Sequence, residues 1–173
     1  NGSFSALGSD LLSYDILVRS QVSKFKKIRF NSHENVGYGE ISLPEEEMHT
    51  RSLVLLFSPK SGSAEALAEI PEEMKAGSLA RLGILLKNVA PVFLLCDRRD
   101  IGVSERLKDP HFGSSALYVY DNYPGGSGLS DAFIHKFADI VTAALDLLRQ
   151  CPCKEGCPSC IGAFDAKEEI IKE

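Results

Sequence analysis

Four of the five cysteines in this 173-residue chain fall within ten consecutive residues, CPCKEGCPSC at positions 151–160. Their spacing, C-x-C-x3-C-x2-C, sets Cys151, Cys153, Cys157 and Cys160 on two short arms that can converge from different directions. A borderline-soft cation such as Zn²⁺ is held in this way, by four thiolates at roughly 2.3 Å in a tetrahedron. Gly156 lets the chain turn between the arms, and Pro152 and Pro158 stiffen them, so less backbone entropy is lost on closure. With all four ligand positions supplied by protein, the expected metal is structural zinc rather than a catalytic ion with an open position.

Three other uses of clustered cysteine fit less well. An iron–sulfur cluster also wants four thiolates, but the usual ferredoxin run is C-x2-C-x2-C-x3-C, a different order. A disulfide framework suits short secreted chains; no signal peptide is apparent here, and a bridge between Cys151 and Cys153 would be strained. A C-x2-C redox pair lacks the strand-then-helix setting of thioredoxin-like sites and would have two further cysteines beside it.

A chain that is 44% hydrophobic and 25% charged fits one globular domain, or one domain with a small appendage. The formal charge of −5 argues against wholesale coating of nucleic acid while leaving room for a local basic patch. No apolar run approaches the roughly 20 residues of a membrane span, so no membrane partner is expected. Free thiols and the lack of a targeting segment point to a reducing compartment, cytoplasmic by default. The start at Asn1-Gly2-Ser3, without Met, suggests an excised piece.

The patterning predicts an α+β fold: a β-sheet packed by two or three helices, with the cysteine segment as a C-terminal annex. Residues 1–9 read as appended or linking residues, 10–150 as the core and 151–173 as the zinc-binding segment. Strands are expected at 14–18 and 22–30, joined by a hairpin turn at 19–21. A glycine-broken turn at 35–40, a short strand at 41–43 and a buried strand at 51–57 follow. A short helix over 64–70 leads to a second one starting at Pro71, whose face of Met74, Leu79, Leu82, Leu86 and Val89 reads as core. Pro91 should end it, before a buried strand at 92–96 in which Cys96 is a small core hydrophobe. After a strand at 116–120, one long helix over 130–149 is expected, with Ser130 as N-cap, Asp131 near the positive end of the dipole, and Phe133, Phe137, Ile140, Val141, Ala144 and Leu148 recurring at helical spacing. That helix delivers the chain into the cysteines.

Two other stretches invite chemistry. The loop DNYPGGSG at 121–128, between a strand and a helix, has the setting of a phosphate-binding turn. It lacks G-x4-G-K-[ST], and Asp131 stands where the third glycine of G-x-G-x-x-G belongs, so a structural loop is expected. Lys24, Lys26, Lys27 and Arg29 interleave with Phe25, Ile28 and Phe30, which suits either a charged edge strand or a strip facing single-stranded nucleic acid. His33, Glu34, Glu45, Glu46, Glu47, His49, Asp97, Asp100, His111 and Asp121 could gather into a metal-dependent nuclease or hydrolase site, but no pair has ligand spacing on one element. No catalytic residue is assigned.

Four stretches in one order, HENVGYGEISLPEEEMHT (33–50), LCDRRD (95–100), DNYPGGSGL (121–129) and CPCKEGCPSC (151–160), together resemble the C-terminal zinc-binding domain of the mitomycin repair factor A (MrfA) helicases. The resemblance covers about residues 10–164. It implies a part of a superfamily 2, DEAD/DEAH-box-type DNA helicase that translocates 3′→5′ with ATP and acts in DNA repair. It carries over the zinc ligands as Cys151, Cys153, Cys157 and Cys160. The Walker A lysine and DEAH carboxylates have no counterpart here, so ATP and Mg²⁺ would belong to motor domains elsewhere in a longer chain, and this domain alone is expected to be non-catalytic. Its implied partners are those motor domains and, weakly, single-stranded DNA; the strip of Lys24, Lys26, Lys27 and Arg29, read from the residues themselves, is where such DNA would be touched. A free-standing hydrolase and a partner-recruiting zinc module are the competing readings.

Overall fold

In the computed structural model, which describes residues 2–6, 9–58 and 62–162, the elements run in a mixed order. Strands β1 (Gly2–Ala6), β2 (Ser9–Ser20), β3 (Lys24–Ile28), β4 (Asn35–Glu40) and β5 (Glu46–Phe57) come first. Helices α1 (Gly62–Ala68) and α2 (Glu72–Leu94) precede β6 (Ile101–Arg106) and β7 (Ser115–Asp121); α3 (Leu129–His135) and α4 (Phe137–Gln150) close the series. This is the expected α+β class.

The apolar run at 51–57 is the centre of an antiparallel sheet ordered β1-β2-β5-β7-β6. Alternation sends Leu53 and Leu55 of β5, with Leu117 and Val119 of β7, to one face. There they meet Leu85, Leu86 and Val89 of α2, Phe133 of α3, and Phe137, Ile140 and Ala144 of α4 in one buried cluster. On the opposite face Tyr14 and Tyr120 flank Ser52 in register, and Tyr14 meets His111 and Phe112 edge-on. β2 and β5 stay paired from Asp10↔Leu56 to Ser20↔Glu46, whereas β7 accompanies β5 only over 52–57. A two-stranded ribbon therefore extends beyond the sheet and ends in a separate β3–β4 hairpin.

Several expectations are corrected. Residues 14–18 and 22–30 do not pair with each other: β2 takes β1 and β5, while β3 takes β4, which is itself a strand where a glycine-broken turn was expected. Residues 41–43 lie outside any strand. Pro91 does not end α2, which runs on to Leu94; its missing N–H removes the one bond to the Lys87 carbonyl, and the helix continues only three residues beyond it. There is thus no strand at 92–96. Leu95 caps the helix in the left-handed region, at φ 53°, and Cys96 is partly buried against the core. β6 had no signal assigned to it. The helix expected over 130–149 is two, divided at Lys136. Of the expected apolar face, Leu79, Leu86 and Val89 are buried but Met74 is exposed, as is Leu148 on α4. β1 adds to the sheet residues that the sequence placed before the core, and the annex beyond Gly162 lies outside the described residues. By length and composition α2 could cross a bilayer, contrary to expectation; its burial of Leu79, Leu85, Leu86 and Val89 marks it as the core helix.

Phe133 is 1% exposed and its ring centroid lies 6.5 Å from that of Phe137. Truncating it leaves a cavity at the junction of α3, α4 and the sheet. Phe133→Ala should cost about 4 kcal/mol in urea unfolding, whereas Leu145→Ala, at a position 46% exposed, should stay within about 0.5 kcal/mol.

Candidate metal centre

α4 ends by handing its last turn to the first cysteine. The Cys151 N–H donates to the Leu147 carbonyl at 2.9 Å, and Cys151 itself turns to extended backbone, φ −70° and ψ 121°. After Cys153 the chain reverses at Gly156, φ 103°. A Cβ there would lie 2.5 Å from the Gly162 carbonyl oxygen, so the turn and the close approach both require glycine. The second arm is a tight knuckle: the N–H groups of Cys160 and Gly162 both donate to the Cys157 carbonyl at 3.0 Å, and the Cys157 N–H points at Cys160 Sγ, 3.3 Å away.

The arms bring all four sulfurs within 4.8 Å of one another. Cys151 and Cys153 are 3.3 Å apart, Cys151 and Cys157 3.7 Å, and Cys160 is 3.5 Å from both Cys153 and Cys157. A tetrahedron with metal–sulfur bonds of roughly 2.3 Å has edges of about 3.8 Å; the sulfurs are arranged for a small ion at their centre. Side-chain hydrogen bonding to Cys151 and then Cys160 pushes the Cys153 thiol up to about 12. At Cys160 burial acts upward, but the backbone N–H groups of Cys157 and Ile161 outweigh it and bring the thiol down to about 6. A dication bound at the centre would displace the thiol protons of its ligands. The donor set fits zinc.

Sequence reasoning missed the support beneath the site. Asn88, on α2, donates from Nδ2 to the carbonyls of Cys160 (2.7 Å) and Pro158 (3.1 Å), and Ile161 packs against the core. An asparagine in the middle of an apolar helix was the available signal. These contacts satisfy carbonyls of a loop that has no ladder of its own and fix the knuckle on the helix.

The glycine loop before α3 has its anion already. The buried Asp121 carboxylate accepts the N–H groups of Ser127, Leu129 (3.1 Å) and Ser130 (2.7 Å), and also the Ser127 and Ser130 hydroxyls. Gly126 and Gly128, at φ 80° and 85°, bend the loop around it. Gly128, not Ser130, stands at the N-cap of α3. Burial acts to raise Asp121, but these donors outweigh it and hold the carboxyl below the usual range. The N–H groups that a phosphate would need are spent on the chain's own side chain.

Three further acids are held by hydrogen bonds. Asp97 accepts from the Arg99 N–H and Nε; Asp100 receives the Asp97 N–H and the Tyr123 hydroxyl; Asp109 receives the Tyr118 hydroxyl at 2.7 Å. His33 and Glu34 sit at the far turn of the β3–β4 hairpin, and Glu46, Glu47 and His49 lie along β5. Among the described residues, the four cysteines are the one group of three or more His, Cys, Asp or Glu whose ligand atoms converge. Lys24, Lys26 and Lys27 lie exposed on β3, and Arg29 follows it, paired with Glu34 at 3.5 Å.

Residues 82–161 match the family described as the MrfA Zn-binding domain. The chain is 38% identical over 162 residues to the uncharacterized ATP-dependent helicase YprA of Bacillus subtilis, covering 91% of this chain and 21% of that protein. Over 57 residues it is 39% identical to the ATP-dependent helicase HRQ1 of Saccharomyces cerevisiae, 32% of this chain and 5% of the relative. Among solved structures, the DUF1998 helicase MrfA bound to DNA superposes with a TM-score of 0.71 at 36% identity, over 94% of this chain and 21% of that one. The chain thus spans about a fifth of the length of the first two helicases it resembles along nearly its whole extent.

Two outcomes follow. The purified chain should carry one zinc by elemental analysis; Cys157→Ser should lose it and loosen the segment after Arg149, while the buried core unfolds as before. Iron with visible absorbance would refute the assignment. Asp121→Asn should cost about 3 kcal/mol, because buried N–H donors then face an amide. Since the folded carboxyl titrates below its unfolded value, the parent's advantage should be whole above about pH 4 and shrink as acid protonates it. A difference independent of pH down to pH 2 would refute this account.

Proposed function

We propose, from the premise that this chain carries the MrfA Zn-binding domain, that it is the C-terminal accessory domain of an ATP-dependent DNA helicase. In this reading Cys151, Cys153, Cys157 and Cys160 are the ligands of a structural zinc that stiffens the segment after α4. The observation that carries it is the closed four-thiol cluster, seated on the helical layer of a fold matched over 94% of its length by a DNA-bound helicase. The chain packs on motor domains of the same polypeptide, contributes no ATP-hydrolysing residue itself, and helps to guide single-stranded DNA, with phosphate contacts drawn from Lys24, Lys26, Lys27 and Arg29 according to which face of the hairpin the strand meets. Translocation 3′→5′, a role in DNA repair and a cytoplasmic location belong to the same proposal.

The mechanism is positional. Zinc supplies no chemistry beyond fixing four sulfurs. α2, through Asn88, and α4, through the Cys151 turn, transmit that rigidity to the core. Asp121 holds its loop closed without nucleotide, which supports assigning ATP turnover to another part of the polypeptide.

The coding sequence upstream of Asn1 should encode a Walker A lysine and a DEAH box. In that longer protein, Cys157→Ser should lower DNA unwinding about tenfold while sparing ATP hydrolysis measured without DNA. Full unwinding by a zinc-free variant would overturn the accessory role.

A further inference from the structure

Between β2 and β5 the chain forms a hairpin in which no residue of β3 or β4 is buried. A two-stranded ribbon is marginal by itself in water. This one nevertheless exposes large apolar side chains: Phe25 at 43%, Tyr38 at 65% and Phe30 at 92%.

The register sorts them. Lys24 faces Glu40 and Lys26 faces Tyr38 on one side; Phe25 faces Gly39 and Lys27 faces Gly37 on the other. The four cations therefore do not form one strip. A Cβ on Gly39 would lie 2.4 Å from Phe25 Cζ, so the ring lies across the bare glycine, with one π-face on backbone and the other outward. At Gly37 a Cβ would meet nothing within 4 Å, so no side chain rises beside the platform from the opposite strand. The Lys27 ammonium stands 5.8 Å from the ring centroid.

We propose that this face of the hairpin is a single-strand DNA site in which one base stacks on Phe25 and Lys27 meets a neighbouring phosphate. The assignment rests on the helicase reading above and names the stacking residue within it. A flat ring with a cation standing over it on an exposed side chain, which can swing from the ring to a phosphate as a base enters, matches the repeat of base and phosphate. A protein hot spot wants an aromatic surrounded by apolar contacts that exclude water; here the ring's same-face neighbours are a lysine and two glycines. Gly39 also explains why the ring stays down rather than turning to solvent, since its outer strand position is the floor the ring covers.

The test uses the 173-residue chain, oligo-dT and an abasic strand of equal length and charge. Phe25→Leu should weaken oligo-dT binding about fivefold to tenfold and leave the abasic strand unaffected. Lys27→Gln should reduce the salt dependence on both strands by about one phosphate. Because the chain has no tryptophan, Phe25→Trp creates a single fluorescent reporter that keeps the ring. Oligo-dT should quench it and the abasic strand should not. Lack of oligo-dT binding by the parent, an unmoved reporter at saturation, or equal affinity of parent and Phe25→Leu would each overturn the stacking site and make the hairpin's apolar surface a protein contact. None of these would touch the accessory role, which the unwinding of the zinc-site variant decides separately.

Discussion

A buried carboxylate at the end of β7 sets where the helical layer begins. Asp121 is wholly inaccessible, and an isolated charge there would be costly. It is tolerated because the first N–H groups of α3 and its preceding loop have no partners within the helix, and the carboxylate answers them. The same point is tied to the central strand: the Thr50 hydroxyl donates to the Asp121 carbonyl at 2.7 Å, and the Ser130 hydroxyl lies 3.1 Å from the Arg51 carbonyl. With α3 started against β5 and β7, Phe133 enters the core, α4 follows with Phe137, Ile140 and Ala144, and Cys151 arrives at the helix end beside α2. The position of the metal site is thus a consequence of how the first turn of α3 is satisfied.

The segment from Cys151 onward is the opposite case, chain with little regular structure fixed by discrete tethers. One tether is the last helical bond of α4, another is Asn88 on the knuckle carbonyls, and a third is the packing of Ile161. A metal would join ligands already near one another, so the ordering it must impose is modest. It would still govern local rigidity, because protonated thiols attract one another far more weakly than thiolates bind a dication. None of these four cysteines lies in the sheet or on a helix; Cys160, 1% exposed, marks the place where the annex meets the core.

The cysteine cluster was legible because ligand spacing is local: four thiols in ten residues need only two turns to meet. The buried strand at 51–57 and the periodicity of Phe133, Phe137, Ile140 and Ala144 were legible because burial writes itself into neighbouring residues. Strand pairing was not. β2 finds β5 across the whole inserted hairpin, and nothing in residues 14–18 names a partner that distant. Pro91 misled because its effect depends on how much helix follows, and the division at Lys136 has no Gly or Pro to announce it. Asn88 could be read only once the knuckle's carbonyls had a location. The exposure of Phe25 was likewise a tertiary fact, decided by Gly39 opposite it.

An acidic chain can present a site for a polyanion only if the charges near that site decide the field. At physiological salt the Debye length is about 8 Å, so the formal −5 of the whole chain matters little at an arm carried beyond the sheet. On the arm itself Arg29 is held by Glu34, and Lys24 stands opposite Glu40. Lys26 and Lys27, without an ion-pair partner among the described residues, point to opposite faces, so a strand on either face meets few cations. Electrostatics alone would then give weak binding with a shallow salt dependence. Whatever affinity this arm has must come from its rings, and of these Phe25 alone is laid flat on a glycine with a lysine over it.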